Sequence, residues 1–176
     1  MQDTYMLSTL KTLFGFLGQS ILNHRLTGLS GNRPEDTFNY LQISEQIATS
    51  GQPTERQLTA IALAGYTTVI NLAPNSKREN SVNKEKVILE AEGVNYIHLP
   101  VDFESPTEQD YERFIQHMSE NSEVRLWVHC AANVRVSAFI YRYRTFELGE
   151  EEKVARSDLI KIWRPYGVWR KFIGWG

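Results

Sequence analysis

Val124-Arg125-Leu126-Trp127-Val128-His129-Cys130-Ala131-Ala132-Asn133-Val134-Arg135-Val136-Ser137-Ala138-Phe139-Ile140 is the stretch that decides the fold. It begins with Val124 to Val128, a stretch of strand length that is apolar but for Arg125. It ends in a helical stripe, with Val136, Phe139, Ile140 and Tyr143 recurring at three- and four-residue steps. A loop from His129 to Ser137 carries the chain from one to the other. The same alternation continues upstream. Thr67 to Leu72 and Val94 to Leu99 read as β-branched, apolar strands. Thr54 with Gln57 is a capping box that opens a helix carrying Leu58, Ile61 and Ala62, with Gly65 placed to end it. A polar segment from Pro74 to Ser81 leads into a helix that runs to Ala91 and stops near Gly93. Thr107 and Asp110 form a second capping box, before a stripe of Tyr111, Phe114, Ile115 and Met118. Tyr40 to Ala48 shows short apolar–polar alternation and leads to Gly51-Gln52-Pro53. Downstream, Gly149 is the expected stop of the stripe helix. Glu150 to Trp163 predicts a helix halted by Pro165, and Val168 to Ile173 a last turn or short helix.

Strands alternating with helices predict an α/β, three-layer fold: a central, mostly parallel sheet flanked by helices. In such sheets ligands bind beyond the C-terminal ends of the strands. The loops after Leu72, Leu99 and His129 are therefore the candidate site. The organisation predicted is an N-terminal extension, residues 1–36, followed by one domain, residues 37–176. Leu7, Leu10, Phe14, Leu17 and Ile21 make an amphipathic helical stripe in the extension, and Gly28 to Pro34 a linker. Two readings of that stripe are open. One is a helix folded back on its own domain or against a second subunit; the other is a helix that contacts a partner or a membrane surface.

Composition narrows the function. The 176 residues carry 19 Lys plus Arg against 21 Asp plus Glu, a net charge of −2, which argues against a nucleic-acid binder. The 41% hydrophobic content is that of a globular chain. No run of apolar residues is long enough to span a membrane, and no basic leader precedes a cleavage site. One cysteine excludes an intrachain disulfide and a multi-cysteine zinc site. It points to a reducing, cytoplasmic compartment. His24, His98, His117 and His129 show no metal-ligand spacing. No metal or cofactor is expected.

The single cysteine, Cys130, sits where a buried strand ends and a helix begins. The unpaired N–H groups of the helix start and its dipole favour an anion there, as does Arg135. A nucleophile and an oxyanion cradle coincide in one turn. Ala131 and Ala132 are small enough for the loop to curl around a ligand, and Asn133 tolerates positive φ. A lone cysteine after an apolar strand is also what a small buried hydrophobe looks like, so both readings stand at this level.

The loop from His129 to Phe139 resembles the signature loop of cysteine-dependent, dual-specificity-type protein phosphatases. The chain is most similar to a bacterial phosphatase-like family also found as a domain beside beta-lactamase-like hydrolases and NAD kinases. Ser50-Gly51-Gln52-Pro53, Val69-Ile70-Asn71-Leu72, Pro100-Val101-Asp102-Phe103 and Ile162-Trp163-Arg164-Pro165 with Trp169 complete the match. It spans about Phe38 to Ile173. The resemblance implies a three-layer cysteine-phosphatase-like fold and two-step hydrolysis of a phosphorylated substrate, protein or small molecule. Cys130 would be the nucleophile. Arg135 and the main chain of Ala131, Ala132, Asn133 and Val134 would hold the phosphoryl oxygens. Asp102 would be the acid and then the base, with Glu104 next in line. His129 would support the loop, and Ser137 would donate to the departing thiolate. Four residues separate Cys130 from Arg135 where the phosphatase loop usually has five, which puts Val136 at the usual arginine position. A four-residue spacer also resembles the persulfide loop of rhodanese-type sulfurtransferases. A third expectation is an oxyanion- or phosphoprotein-binding module of weak activity.

Elsewhere the sequence predicts structural or solvated roles. His98 is expected in a strand, His117 on a helix and Trp127 in the core. Lys77 and Arg78 are read as a solvated polar loop with a phosphate-contact alternative. Arg142, Arg144 and Glu150 to Glu152 are read as a charged helix face.

Overall fold

Period-two alternation sorts each strand's side chains between two faces. Along Leu126–His129, Leu126 and Val128 turn to one face of the sheet and Trp127 to the other. In the computed structural model, which describes residues 31–74 and 81–176, both faces are buried. Five strands form the sheet: β1 (Leu41–Gln42), β2 (Ile47–Ser50), β3 (Thr68–Asn71), β4 (Asn95–His98) and β5 (Leu126–His129). Their spatial order is β1-β2-β5-β3-β4. The four from β2 to β4 run parallel, and β1 is an antiparallel edge. The expected mostly parallel sheet with flanking helices is thus the observed architecture. The predicted helix in the N-terminal extension lies outside the described residues, as do Lys77 and Arg78.

The helices divide between the two faces. α1 (Glu55–Leu63) and α2 (Ser81–Ala91) cover one, where Leu58, Ile61 and Leu89 meet Ala48, Val69 and Trp127. α3 (Glu108–Glu120), α4 (Val134–Arg142), α5 (Glu152–Ile162) and α6 (Val168–Phe172) cover the other. Phe114, Phe139, Trp169 and Phe172 form a continuous aromatic core there against Ile70 and Val128. Phe139 lies 4.8 Å from Phe172 and 5.3 Å from Phe114, centroid to centroid.

Both capping boxes form as the sequence predicts. Thr54 and Gln57 bond reciprocally at the start of α1, and Thr107 and Asp110 at the start of α3. Gly65 ends α1 with φ of 85°. The predicted charged helix face needs correction. α4 continues as a π-turn over Tyr143–Glu147. Arg144 lies four residues after Ile140 and eight after Val136, so it continues the buried face of the helix, and it is 5% exposed. Its guanidinium donates to Glu150 at 2.6 and 2.7 Å and to Asp158 at 2.7 Å. Arg142 is also no free surface charge: it stacks 4.0 Å over the Tyr111 ring and bonds Glu108.

Candidate active site

All four parallel strands end on one side, and the loops that leave them meet there. Ser50 and His129 are register partners at the ends of β2 and β5, and Asn71 and His129 at the ends of β3 and β5. Beyond the last paired residues the main chain still bonds sideways. Leu72 N–H donates to His129 O at 2.9 Å, and Val101 N–H to Leu72 O at 3.2 Å. Cys130 and Asp102 each follow one of these anchored positions. Their backbones therefore sit about two strand spacings apart, roughly 10 Å.

The Cys130 loop is pinned by two asparagines in the left-handed region. Asn39 has φ of 51° and Asn133 of 66°. Asn39 Nδ2 donates to Ala132 O at 2.9 Å, and Asn133 Nδ2 donates to Asn39 O at 2.8 Å and to Thr49 Oγ1 at 3.0 Å. Asn133 is the N-cap of α4, yet its side chain makes no cap bond. The first-turn N–H groups of a nine-residue helix therefore keep their free donors, facing out of the turn that begins at Cys130. Gly51 lets a neighbouring strand end press against this turn. A Cβ there would stand 2.8 Å from Phe38 Cδ1 and 3.1 Å from Ala131 O.

Arg135 lies in the first turn of α4. Its Nε is buried and unpartnered, and its guanidinium carbon stands 5.4 Å from the centroid of the Phe103 ring. Phe103 follows Asp102 directly, so the ring ties the arginine to the loop that carries the expected acid. Trp169 Nε1 donates to Phe103 O at 2.9 Å and holds that loop in place. Asp102 is exposed. Its Oδ1 accepts from Glu104 N–H at 2.9 Å and its Oδ2 from Ser105 Oγ at 3.4 Å, and Glu104 is exposed beside it. Val136, at the position where a longer spacer would place the arginine, is fully buried in the aromatic core. Cys130 is buried and unpaired at the edge of the same core. Ser137 Oγ donates to Val134 O at 3.0 Å and accepts from Trp163 Nε1 at 3.1 Å. It braces the first turn of α4 from behind.

His129 is fully buried, and its side chain lies on the opposite face from Val128. Burial holds its imidazole below the ordinary value and the nearby His98 adds to that. Glu85 and the Cys130 backbone pull the other way. Glu85 and Asn39 are parts of the site that sequence reasoning missed. Glu85 sits one helical turn before Leu89, on the buried stripe of α2, and an acid on an apolar stripe is the signal that could have found it. Asn39 carries no sequence signal beyond its residue type. His98 and His117 have structural places: His98 Nε2 is 2.8 Å from Ala73 O, and His117 pairs with Glu120. Among the described residues no cluster of His, Cys, Asp and Glu could hold a metal ion, and no helix is long and apolar enough to cross a membrane.

Known proteins resemble this chain in sequence and fold. A family model described as "DSP-PTPase phosphatase fused to NAD+ Kinase" matches residues 31–161. The beta-lactamase hydrolase-like protein of Agrobacterium fabrum is 26% identical over 131 residues, which are 72% of this chain and 29% of that protein. The corresponding protein of Xylella fastidiosa is 32% identical over 97 residues, 54% of this chain and 22% of its own length. The chain thus spans less than a third of either relative. Among solved structures, a DUF442 candidate phosphatase from Shewanella putrefaciens CN-32 is 28% identical with a TM-score of 0.70, covering 84% of this chain and 91% of that one. The core catalytic domain of the PP-IP phosphatase SIW14 from S. cerevisiae, 12% identical, shares the fold with a TM-score of 0.65, covering 78% of this chain and 84% of that one.

Proposed function

The chain belongs to this DSP-type phosphatase family, and from that premise we propose that it is a metal-independent phosphomonoester hydrolase working through a phosphocysteine. The observation that carries the reading is the uncapped start of α4. Free first-turn N–H groups, the unpartnered Arg135 Nε and Cys130 occur within one turn of chain. These main-chain and guanidinium donors, with one nucleophile at the end of a central parallel strand, suit a tetrahedral oxyanion.

In the first step the Cys130 thiolate attacks phosphorus. The bond from phosphorus to the leaving oxygen breaks, and Asp102 gives that oxygen its proton. In the second, water attacks the phosphocysteine and Asp102 takes the water's proton. The S–P bond breaks, returning the thiolate and releasing phosphate. Arg135 and the loop N–H groups hold the three non-bridging oxygens throughout. Ser137, from behind the loop, donates to the thiolate as it leaves, a role that requires its bond to Val134 to be exchanged. A phosphorylated protein or small molecule is the substrate class, and the cytoplasm the compartment.

The test is phosphate release from an aryl phosphate between pH 5 and 8 with EDTA present. Turnover that survives EDTA and disappears in Cys130→Ser is the expected result. Turnover lost to EDTA, or kept in the variant, overturns the mechanism.

A further inference from the structure

Behind the nucleophile loop, on the Trp127 face of the sheet, lies a carboxylate that phosphoryl transfer does not use. Glu85, on α2, is 2% exposed. Its Oε2 accepts from Asn71 Nδ2 and from the Tyr96 hydroxyl, each at 2.9 Å. Its Oε1 accepts from Gln52 Nε2. His129 Nε2 stands 3.6 Å from Oε2. These four partners come from all four parallel strands: Gln52 just after β2, Asn71 ending β3, Tyr96 within β4 and His129 ending β5. All four can donate, which is what an acceptor-only carboxylate requires in a dry interior. Tyr96 keeps its proton, because burial and the adjacent carboxylate both push its phenol upward.

The carboxylate reaches the nucleophile from both sides. His129 precedes Cys130 directly. Gln52 follows the other route: its side chain bonds Glu85, and its N–H donates to Ala131 O at 3.2 Å. Neither His129 ring nitrogen has a partner within hydrogen-bond distance among the described residues; the Cys130 main chain and Glu85 both favour a proton on the ring, and of the two only Glu85 is charged, within ion-pair distance of Nε2. A neutral imidazole carries one proton, and the nitrogen that faces an anion keeps it.

We propose that Glu85 is a positioning residue for Cys130: it holds the His129 proton on Nε2, leaves Nδ1 as the lone-pair nitrogen, and fixes the residues on both sides of the nucleophile. The consequence for turnover rests on the reading of Cys130 as nucleophile; the tautomer does not.

The full chain, labelled with 15N-histidine, gives the tautomer by ring 1H–15N correlation, with His129→Gln assigning the signal. The expected result is a proton on Nε2 in the wild type and a mixed population in Glu85→Met. kcat on an aryl phosphate falls about tenfold while KM stays within about twofold, the size of coupling between neighbouring polar groups. Glu85→Gln falls between. In the His129→Gln background, Glu85→Met adds little, because both act through the same imidazole. A proton on Nδ1 in the wild type overturns the proposal, and that spectrum needs no variant to fold. Effects of the two variants that simply multiply also overturn it. If the wild type turns over no phosphate ester, the phosphatase reading fails separately. The alkylation rate of Cys130 by iodoacetamide then takes the place of kcat.

Discussion

The two faces of the sheet do different work for the same loop. On the Phe139 face, strand side chains meet a continuous aromatic core, and near its upper edge stand Cys130, Arg135 with Phe103, and the Trp163–Ser137 bond. On the Trp127 face the apolar contact is smaller, and toward the strand ends it gives way to Glu85, Asn71, Tyr96 and His129. Successive residues of β5 alternate between them, so His129 belongs to the polar anchor and Cys130 to the apolar wall. The lesson is that packing gives Cys130 its place and hydrogen bonds hold the residues on either side of it. Each can be disturbed without the other.

The largest expected effect is on the apolar side. Cys130→Ser lowers aryl phosphate turnover by at least about 10³-fold in stopped assays, as removal of a nucleophile does. Next is Asp102→Asn, which lowers kcat by about 10²–10⁴-fold and removes one limb of the pH–rate profile, the usual worth of a general acid. A sulfurtransferase on the same cysteine would keep its sulfane transfer to cyanide in that variant, so the pair of assays separates the two chemistries. Phe139→Ala removes a ring that touches four aromatic neighbours. It costs about 3–5 kcal/mol in denaturant unfolding. Asn133 tests the loop's own geometry. Asn133→Ala loses two side-chain bonds and forces alanine to φ of 66°, while Asn133→Gly loses only the bonds. Glycine is expected to be the milder change by about 1 kcal/mol.

The smallest effect is a pH dependence of stability, to which both faces contribute in the same direction. His129 is held below its ordinary value of 6.5 by burial, so the folded state binds fewer protons than the unfolded chain as pH falls through that region. Burial raises the Asp158 carboxyl, but hydrogen bonds from Lys161 and Arg144 outweigh it and hold it below its ordinary value of 3.8. Both groups stabilise the fold above their unfolded values. Stability therefore declines on acidification, first below about pH 6.5 through His129 and then through the paired carboxylates. Thermal unfolding at pH 7, 5.5 and 4 checks the sign. His129→Gln is expected to flatten the upper part of that decline.

What the sequence showed, and what it hid, divides by range. Thr54–Gln57 and Thr107–Asp110 were legible because a capping box is complete within four residues. The strand, loop and helix around Cys130 were legible because period two gives way to period 3.6 across a few positions. Arg144 was misread because a charged residue was assigned to the solvated face although it continues the Val136–Ile140 stripe, and its partners Glu150 and Asp158 come from the later loop and helix. Glu85 was missed because the charged run Lys84-Glu85-Lys86 masks its i, i+4 relation to Leu89 on the apolar stripe. Its four partners are spread from Gln52 to His129 and converge only when the strands are ordered β2-β5-β3-β4. Asp102 and Arg135 were visible as residue types at plausible places; the Phe103 ring between them was not.

The clasp between Asn39 and Asn133 joins positions 94 residues apart in the chain. Contacts that close so long a loop carry a large entropic cost and form late in folding. During refolding from denaturant, helical signal should therefore return before the anion cradle does. On the proposed function, activity would then report completion: a chain still missing the Asn39 segment would have its helices before its anion cradle.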